Sequence, residues 1–233
     1  MPLAEADVTS RNPHTWEPAV PELTAHELLT TTRSVRKRLD LTRPVDPALV
    51  RECVETALQA PSGSNAQRWH WLVLTDPEVR REVGALYRKA CRAYLDSPNA
   101  AGRLYADDPE RSRVQARVND SVAYLADRMG DVPVLVLPCL RLPSDELPEG
   151  NQAGLWGSIL PAAWSYMLAA RSRGLGTAWT TLHLRYEDEV ARVLGLPGDV
   201  RQAALIPTAH YTGDTFKPAP RAPLSEVLHE NGW

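Results

Sequence analysis

Between residues 47 and 60 the chain sets Leu49, Cys53, Val54, Ala57 and Leu58 at helical spacing among charged neighbours. This pattern predicts an amphipathic helix opened by Asp46-Pro47, with proline at its first position, and closed at Ala60-Pro61. Upstream, Thr24 can cap a shorter helix reaching about Thr31. Residues 69–75 are aromatic and β-branched and are halted by Asp76-Pro77, which predicts a strand. A helix over 78–95 and a polar, irregular stretch over 97–109 follow. Charge dominates 110–128, yet Val114, Val118, Val122 and Leu125 keep helical spacing, so an amphipathic helix is expected there. Residues 132–140 are almost uninterruptedly apolar and predict a strand covered on both faces.

From 155 to 171 the chain is apolar nearly all round. Ile159, Leu160, Ala163, Tyr166, Met167 and Ala170 are joined by Trp156 and Trp164 on other faces. A helix of this kind belongs at the molecular centre or in a subunit interface, with Pro161 as a kink. Gly174-Leu175-Gly176 ends it, and a strand over 177–181, a helix over 187–194 and a strand over 203–211 complete the pattern. Residues 1–24 are polar, rich in proline and without periodicity, and read as an arm before a single domain over 25–233.

The 233 residues, 43% hydrophobic, can bury one α/β or α+β core without metal or disulfide staples. A net charge of −3 excludes a general attraction to nucleic acid or anionic membrane, so basic clusters act locally. Cys53, Cys91 and Cys139 are odd in number, far apart and without a CxxC pattern, which predicts buried thiols in place of a zinc site or disulfide framework. No segment approaches the roughly 20 apolar residues of a membrane span, and the start lacks a secretory pattern; a cytoplasmic protein is expected.

Two segments carry the candidate chemistry. Thr31-Thr32-Arg33-Ser34-Val35-Arg36-Lys37-Arg38 clusters guanidinium and hydroxyl groups at the end of a helix. It offers bidentate phosphate contacts, or else a solvated basic surface. Ala60-Pro61-Ser62-Gly63-Ser64-Asn65-Ala66-Gln67-Arg68-Trp69 can meet the donor and acceptor edges of a heterocycle, or serve as an ordinary turn. Lys217-Pro218-Ala219-Pro220-Arg221 adds a third basic element. The small residues around Gly176 could let backbone approach a flat ring, with a helix C-cap as the plain alternative. His70, His183 and His210 have no carboxylate partner in sequence and read as structural. Glu187, Asp188 and Glu189 suit a helix start. No GxSxG, HExxH or P-loop pattern occurs.

In this order, the Arg-Ser-Val-Arg, Ala-Pro-Ser-x-x-Asn-x-Gln-x-Trp and Gly-Leu-Gly-Thr-x-Trp segments and the final Arg221-Ala222-Pro223-Leu224 resemble the nitroreductase family of FMN-dependent oxidoreductases, its actinobacterial members most of all. The resemblance spans about residues 28–228. It implies an α+β homodimer with a mostly antiparallel sheet flanked by helices and two FMN sites between subunits. Arg33, Ser34, Arg36 and Arg221 would hold the phosphate and ribityl chain. Ser62, Gly63 and Asn65 would come from the opposite subunit, with Pro61 beside the ring and Gln67 at its polar edge or bracing the loop. Thr181 and Leu182 would offer backbone amides near flavin N5 and O4. The implied activity is ping-pong hydride transfer from NAD(P)H to a nitroaromatic, quinone or similar small acceptor, with no catalytic side chain and no metal. An oxygen-linked oxidase or desaturase and a flavin-sequestering protein are the alternatives. Thr32, where many members have arginine, Leu39, where an aromatic is frequent, and Thr181, where some have glutamate, depart from the pattern.

Overall fold

The apolar run at the chain's centre is strand β2, and it organises everything around it. In the computed structural model, which describes residues 22–233, the sheet consists of β1 (Trp69–Leu74), β2 (Val134–Arg141), β3 (Leu175–Thr177), β4 (Val200–Gln202) and β5 (Ile206–His210). The order is β1-β2-β5-β3, with β4 also pairing β2, and every ladder is antiparallel. Most of the N-terminal arm expected from the sequence lies outside the described residues.

The helices are α1 (Ala25–Thr31), α2 (Pro47–Ala57), α3 (Pro77–Leu95), α4 (Pro109–Arg128), α5 (Ala153–Trp156), α6 (Leu160–Ser172) and α7 (Glu187–Leu194). Asp46, Asp76 and Asp108 cap α2, α3 and α4, each followed by proline in the first turn. The aspartate accepts from an otherwise unpaired amide, and the proline removes a donor that would have no partner. Thr24 and Glu27 form a reciprocal capping box on α1.

Alternation along β2 divides the core. Val134 and Val136 pack with residues of α2 and α6, including Val50, Cys53, Ala163, Tyr166 and Met167. Leu135, Leu137 and Cys139 face Val83, Tyr87 and Cys91 of α3, Val122 and Leu125 of α4, and Val190 of α7. Helices thus cover both faces, an α+β arrangement. Proline inside such a strand needs an explanation. β5 pairs β2 only as far as Val136 and β4 takes over at Cys139, so Pro138 lies where the ladder passes from one strand to the other.

Several expectations are corrected. The helix foreseen over 155–171 is two helices: α5 ends at Trp156, and Pro161 lies in the first turn of α6 instead of kinking a continuous rod. Proline fits a helix start because its missing donor is not needed there. Once Gly174 turns the chain at φ 76°, β3 begins at Leu175, two residues before the expected strand. The last strand is shorter than expected, and β4 precedes it as a three-residue strand too brief to leave a periodic signal. No helix among the described residues is long and apolar enough to cross a membrane.

All three cysteines are buried free thiols, and burial raises Cys53 and Cys91 to about 11 and Cys139 to about 12. His183 is fully buried with neither ring nitrogen partnered, and desolvation pulls its pKa down to about 3. It is therefore neutral in the native protein. The unfolded chain takes up a proton below about pH 6.5 while the native state does not, so this residue's contribution is intact above that pH and falls as pH drops toward 3. Urea midpoints measured at pH 7 and pH 5 should show a loss of about 2 kcal/mol from this source, absent in His183→Leu. Backbone also meets backbone where α3 crosses the turn after α4: a Cβ on Gly84 would lie 2.6 Å from the Gly130 nitrogen. Gly84→Ala should cost about 1–3 kcal/mol with little change in the denaturant slope.

Candidate functional site

The arginine-rich segment leaves α1 and runs along the free edge of β3. Ser34 bridges Thr177 in parallel fashion, and the Val35 amide donates to the Thr177 carbonyl at 2.7 Å. Buried Val35 and Leu39 anchor the segment, and both sit against Gly176, where a Cβ would approach either side chain to 3.2 Å. Gly176, one of the small residues whose backbone could approach a flat ring or serve a helix C-cap, is approached here by the chain's own arginine segment.

With its two apolar residues held inward, this segment sends its cations in different directions. Arg33 Nη1 donates to the Lys217 carbonyl at 2.8 Å, and Ser34 is exposed. Lys37 pairs with Asp120 of α4. Arg38 donates to the carbonyls of Thr212 at 2.6 Å and Thr215 at 2.9 Å. Arg36 turns inward, toward the hydroxyls of Tyr87 and Tyr94 on α3. Burial lowers its pKa, the two tyrosines partly offset that shift, and its Nε has no hydrogen-bond partner. Among the described residues no carboxylate forms an ion pair with it. A cation held this way without a carboxylate is costly for the fold alone.

Thr181 and Leu182 follow along the same edge. Thr180 is tied to Leu205 through backbone and through its hydroxyl, at 2.9 Å to the Leu205 carbonyl. The chain then enters a 3-10 turn over Leu182–Tyr186, with an exposed Thr181 whose side chain makes no capping bond. Arg221 is exposed and donates only to the carbonyl of its neighbour Pro220 among the described residues.

The second segment is a braced, strained loop. After Pro61, a 3-10 turn over Gly63–Asn65 leads to β1. Ser64, Asn65 and Gln67 have φ of 52°, 51° and 49°, a left-handed conformation that non-glycine residues rarely adopt. Three such residues together persist only because the surroundings hold them, and strain of this type gathers at binding sites. The Gly63 amide donates to Ser158 Oγ at 3.0 Å, the Gln67 amide to Ser62 Oγ at 3.2 Å, and Gln67 Nε2 to Asn65 Oδ1 at 2.9 Å. Ser158, Tyr87 and Tyr94 were not singled out from the sequence, because nothing in their local pattern announces contacts made so far along the chain.

One chain does not bring the two segments together. Ser34 lies in the row that runs through Thr177, Thr208 and Val134, whereas Trp69, where the loop ends, pairs with Leu140. They are four strand spacings apart, ~19 Å, and about six residues apart along β2, ~20 Å. Arg33, Ser34, Arg36, Thr181 and Leu182 share the β3 edge; Pro61, Ser62, Gly63, Asn65 and Gln67 occupy the opposite corner of the sheet.

Known proteins share this architecture. A protein from Thermus thermophilus described as NADH dehydrogenase is 28% identical over 91% of this chain and 98% of its own. The iodotyrosine deiodinase of Thermotoga neapolitana is 23% identical over 75% of this chain and 81% of its own. Among solved structures, the FMN and NADPH-dependent nitroreductase NfnB from sphigopyxis sp. strain HMH aligns with a TM-score of 0.61 at 26% identity, over 91% of this chain and 100% of that one. An oxidized iodotyrosine deiodinase bound to FMN and 3-iodo-L-tyrosine shares the fold, with a TM-score of 0.66 at 20% identity over 89% of this chain and 98% of that one. Residues 29–210 match the Nitroreductase family, a stretch that takes in the arginine segment, the strained loop and the turn after β3, and the chain belongs to that family.

Proposed function

We propose that this chain is an FMN-dependent oxidoreductase that takes hydride from NAD(P)H and passes reducing equivalents to a nitroaromatic, quinone or related flat acceptor by a ping-pong scheme in the cytoplasm. The observation that carries the reading is Arg36, a half-buried cation with a buried, orphaned Nε and no carboxylate partner among the described residues. An anionic cofactor fits that need, and the FMN and NADPH-dependent nitroreductase and the FMN-bound iodotyrosine deiodinase that share the fold are both described with FMN.

FMN, when bound, supplies the two-electron chemistry. The protein's residues bind, orient and neutralise. Arg33, Ser34 and Arg221 would grip the phosphate end, where Lys217 adds charge, and Arg36 would stabilise negative charge on the cofactor from inside the fold. The amides of Thr181 and Leu182 would face the reactive edge of the ring, so the conformation of that turn matters more than its side chains. Residues 25–233 form the FMN-binding domain in this reading, and residues 1–24 an arm.

The opposite corners of the sheet support a homodimer. Ser62, Gly63 and Asn65 of the partner subunit would complete the site, with Pro61 beside the ring. Gln67 would hold Asn65 through its amide nitrogen and turn its oxygen toward the cofactor's polar edge. Acceptors would be held by stacking on tryptophan and tyrosine side chains. The deiodinases among the relatives favour a second reading, in which the same cleft reductively dehalogenates a halogenated phenol.

Purified protein reconstituted with FMN should lose its visible flavin absorption on anaerobic addition of NADH or NADPH. A nitroaromatic or quinone should restore it; restoration by 3-iodo-L-tyrosine alone would select the second reading, and a flavin left oxidised by both nicotinamides would sink the first. Arg36→Ala should weaken FMN binding ~10-fold or more while the circular dichroism spectrum stays native, because a charge-assisted contact is lost.

A further inference from the structure

The C-terminal segment that carries Lys217 and Arg221 has few apolar anchors of its own. From Lys217 onward the chain is almost wholly exposed, including Leu224, Val227 and Leu228. It is nonetheless tied down just before Lys217, and the tie has an unusual composition.

Phe216 lies 5.0 Å from the ring of Tyr211, and two guanidinium groups face this pair. Arg38 Cζ is 4.1 Å from the centre of the Phe216 ring and Arg171 Cζ 4.9 Å; both also lie within reach of Tyr211, at 5.6 and 5.3 Å. Arg171 comes from α6 and is buried, with its Nη1 on the Tyr211 hydroxyl and its Nε unpartnered. Neither arginine has a carboxylate partner among the described residues. Their negative potential comes from backbone carbonyls around Arg38, the Tyr211 hydroxyl at Arg171, and the aromatic faces that the two share.

Arg38 also gathers the backbone. It donates to the Thr212 and Thr215 carbonyls, and its own carbonyl accepts from the Thr212 amide at 2.9 Å. Gly213, at φ 77°, lets the chain turn over the guanidinium, since a Cβ there would lie 2.8 Å from Nη2. The next residue after Phe216 is Lys217, whose carbonyl receives Arg33. The clasp thus joins the arginine segment, α6 and the C-terminal segment at the point where the free cations begin.

We infer that Phe216, clasped by Arg38 and Arg171, is a positioning residue that sets the phosphate end of the cofactor site by placing Lys217 and Arg221 beside Arg33; this rests on the FMN reading above. Gathering Arg33, Lys217 and Arg221 at one place is repulsive until a polyanion arrives, so their placement needs a mechanical hold that is independent of the ligand. The aromatic clasp provides that hold without a carboxylate that would compete for the same cations. Its effect is confined to the phosphate and leaves recognition of the ring to other residues.

The test compares FMN with riboflavin, which lacks the phosphate. Full-length apoprotein is titrated with each, following flavin fluorescence. The wild type should bind FMN much more tightly than riboflavin. Phe216→Ala should weaken FMN ~10-fold or more, the loss expected when charge-assisted contacts are misplaced, and leave riboflavin unchanged. Phe216→Tyr, which keeps the aromatic face, should restore the preference. Arg38→Lys, which keeps the charge but loses the planar fork, should behave like Phe216→Ala and decides the matter should that variant fail to fold. An unaltered FMN-to-riboflavin ratio, or an equal loss for both flavins, overturns the inference. A wild type that binds both flavins equally overturns it too, while one that binds neither removes the FMN reading itself.

Discussion

Burial of β2 on both faces is the constraint from which the rest of the architecture follows. A strand whose odd and even residues are both apolar must have helices above and below it, and α2 and α6 on one side and α3, α4 and α7 on the other meet that demand. Once both faces are occupied, only the edges and ends of the sheet remain open. The arginine segment takes the β3 edge, and the strained loop takes the far end of β1. The candidate site is thus displaced from the core by the requirement that made the core.

Charge follows the same division. Among the described residues, half-buried Arg36 near Tyr87 and Tyr94 and buried Arg171 against aromatic rings have no carboxylate partner. Outside, Arg33 meets the Lys217 carbonyl and Arg221 that of Pro220, and among the described residues no carboxylate pairs with Arg33, Lys217 or Arg221. Leaving such charges without carboxylate partners is unfavourable in a free-standing domain. Because the net charge is negative, these cations are a local feature and give no general affinity for polyanions.

Local signals were legible wherever the physics is local. Asp46-Pro47, Thr24 and the spacing of Leu49, Cys53 and Ala57 announce their helices because caps and amphipathic faces depend on neighbours within a turn or two. Pro161 was read as a kink because a proline in an apolar run looks the same whether it bends a helix or begins one. The unpaired amides that decide the question belong to a break that only packing creates. β4 escaped notice because a three-residue strand is held by its partner and not by its own pattern. Gly176 packs against Val35 and Leu39, a contact its sequence does not reveal, since a glycine declares a close approach without saying what approaches.

The sequence by itself determined the two-faced strand, most of the helices, the residue types of the cationic segment and the family that the chain belongs to, because these rest on periodicity, capping and motif order. Tertiary structure alone decided that Arg36 points inward to Tyr87 and Tyr94, that Arg38 and Arg171 meet over Phe216, and that the two motif segments end at opposite corners of one sheet. The reason is geometric. Contacts between residues dozens to well over a hundred positions apart are set by how helices and strands pack around β2, and no local pattern of side chains records that distance.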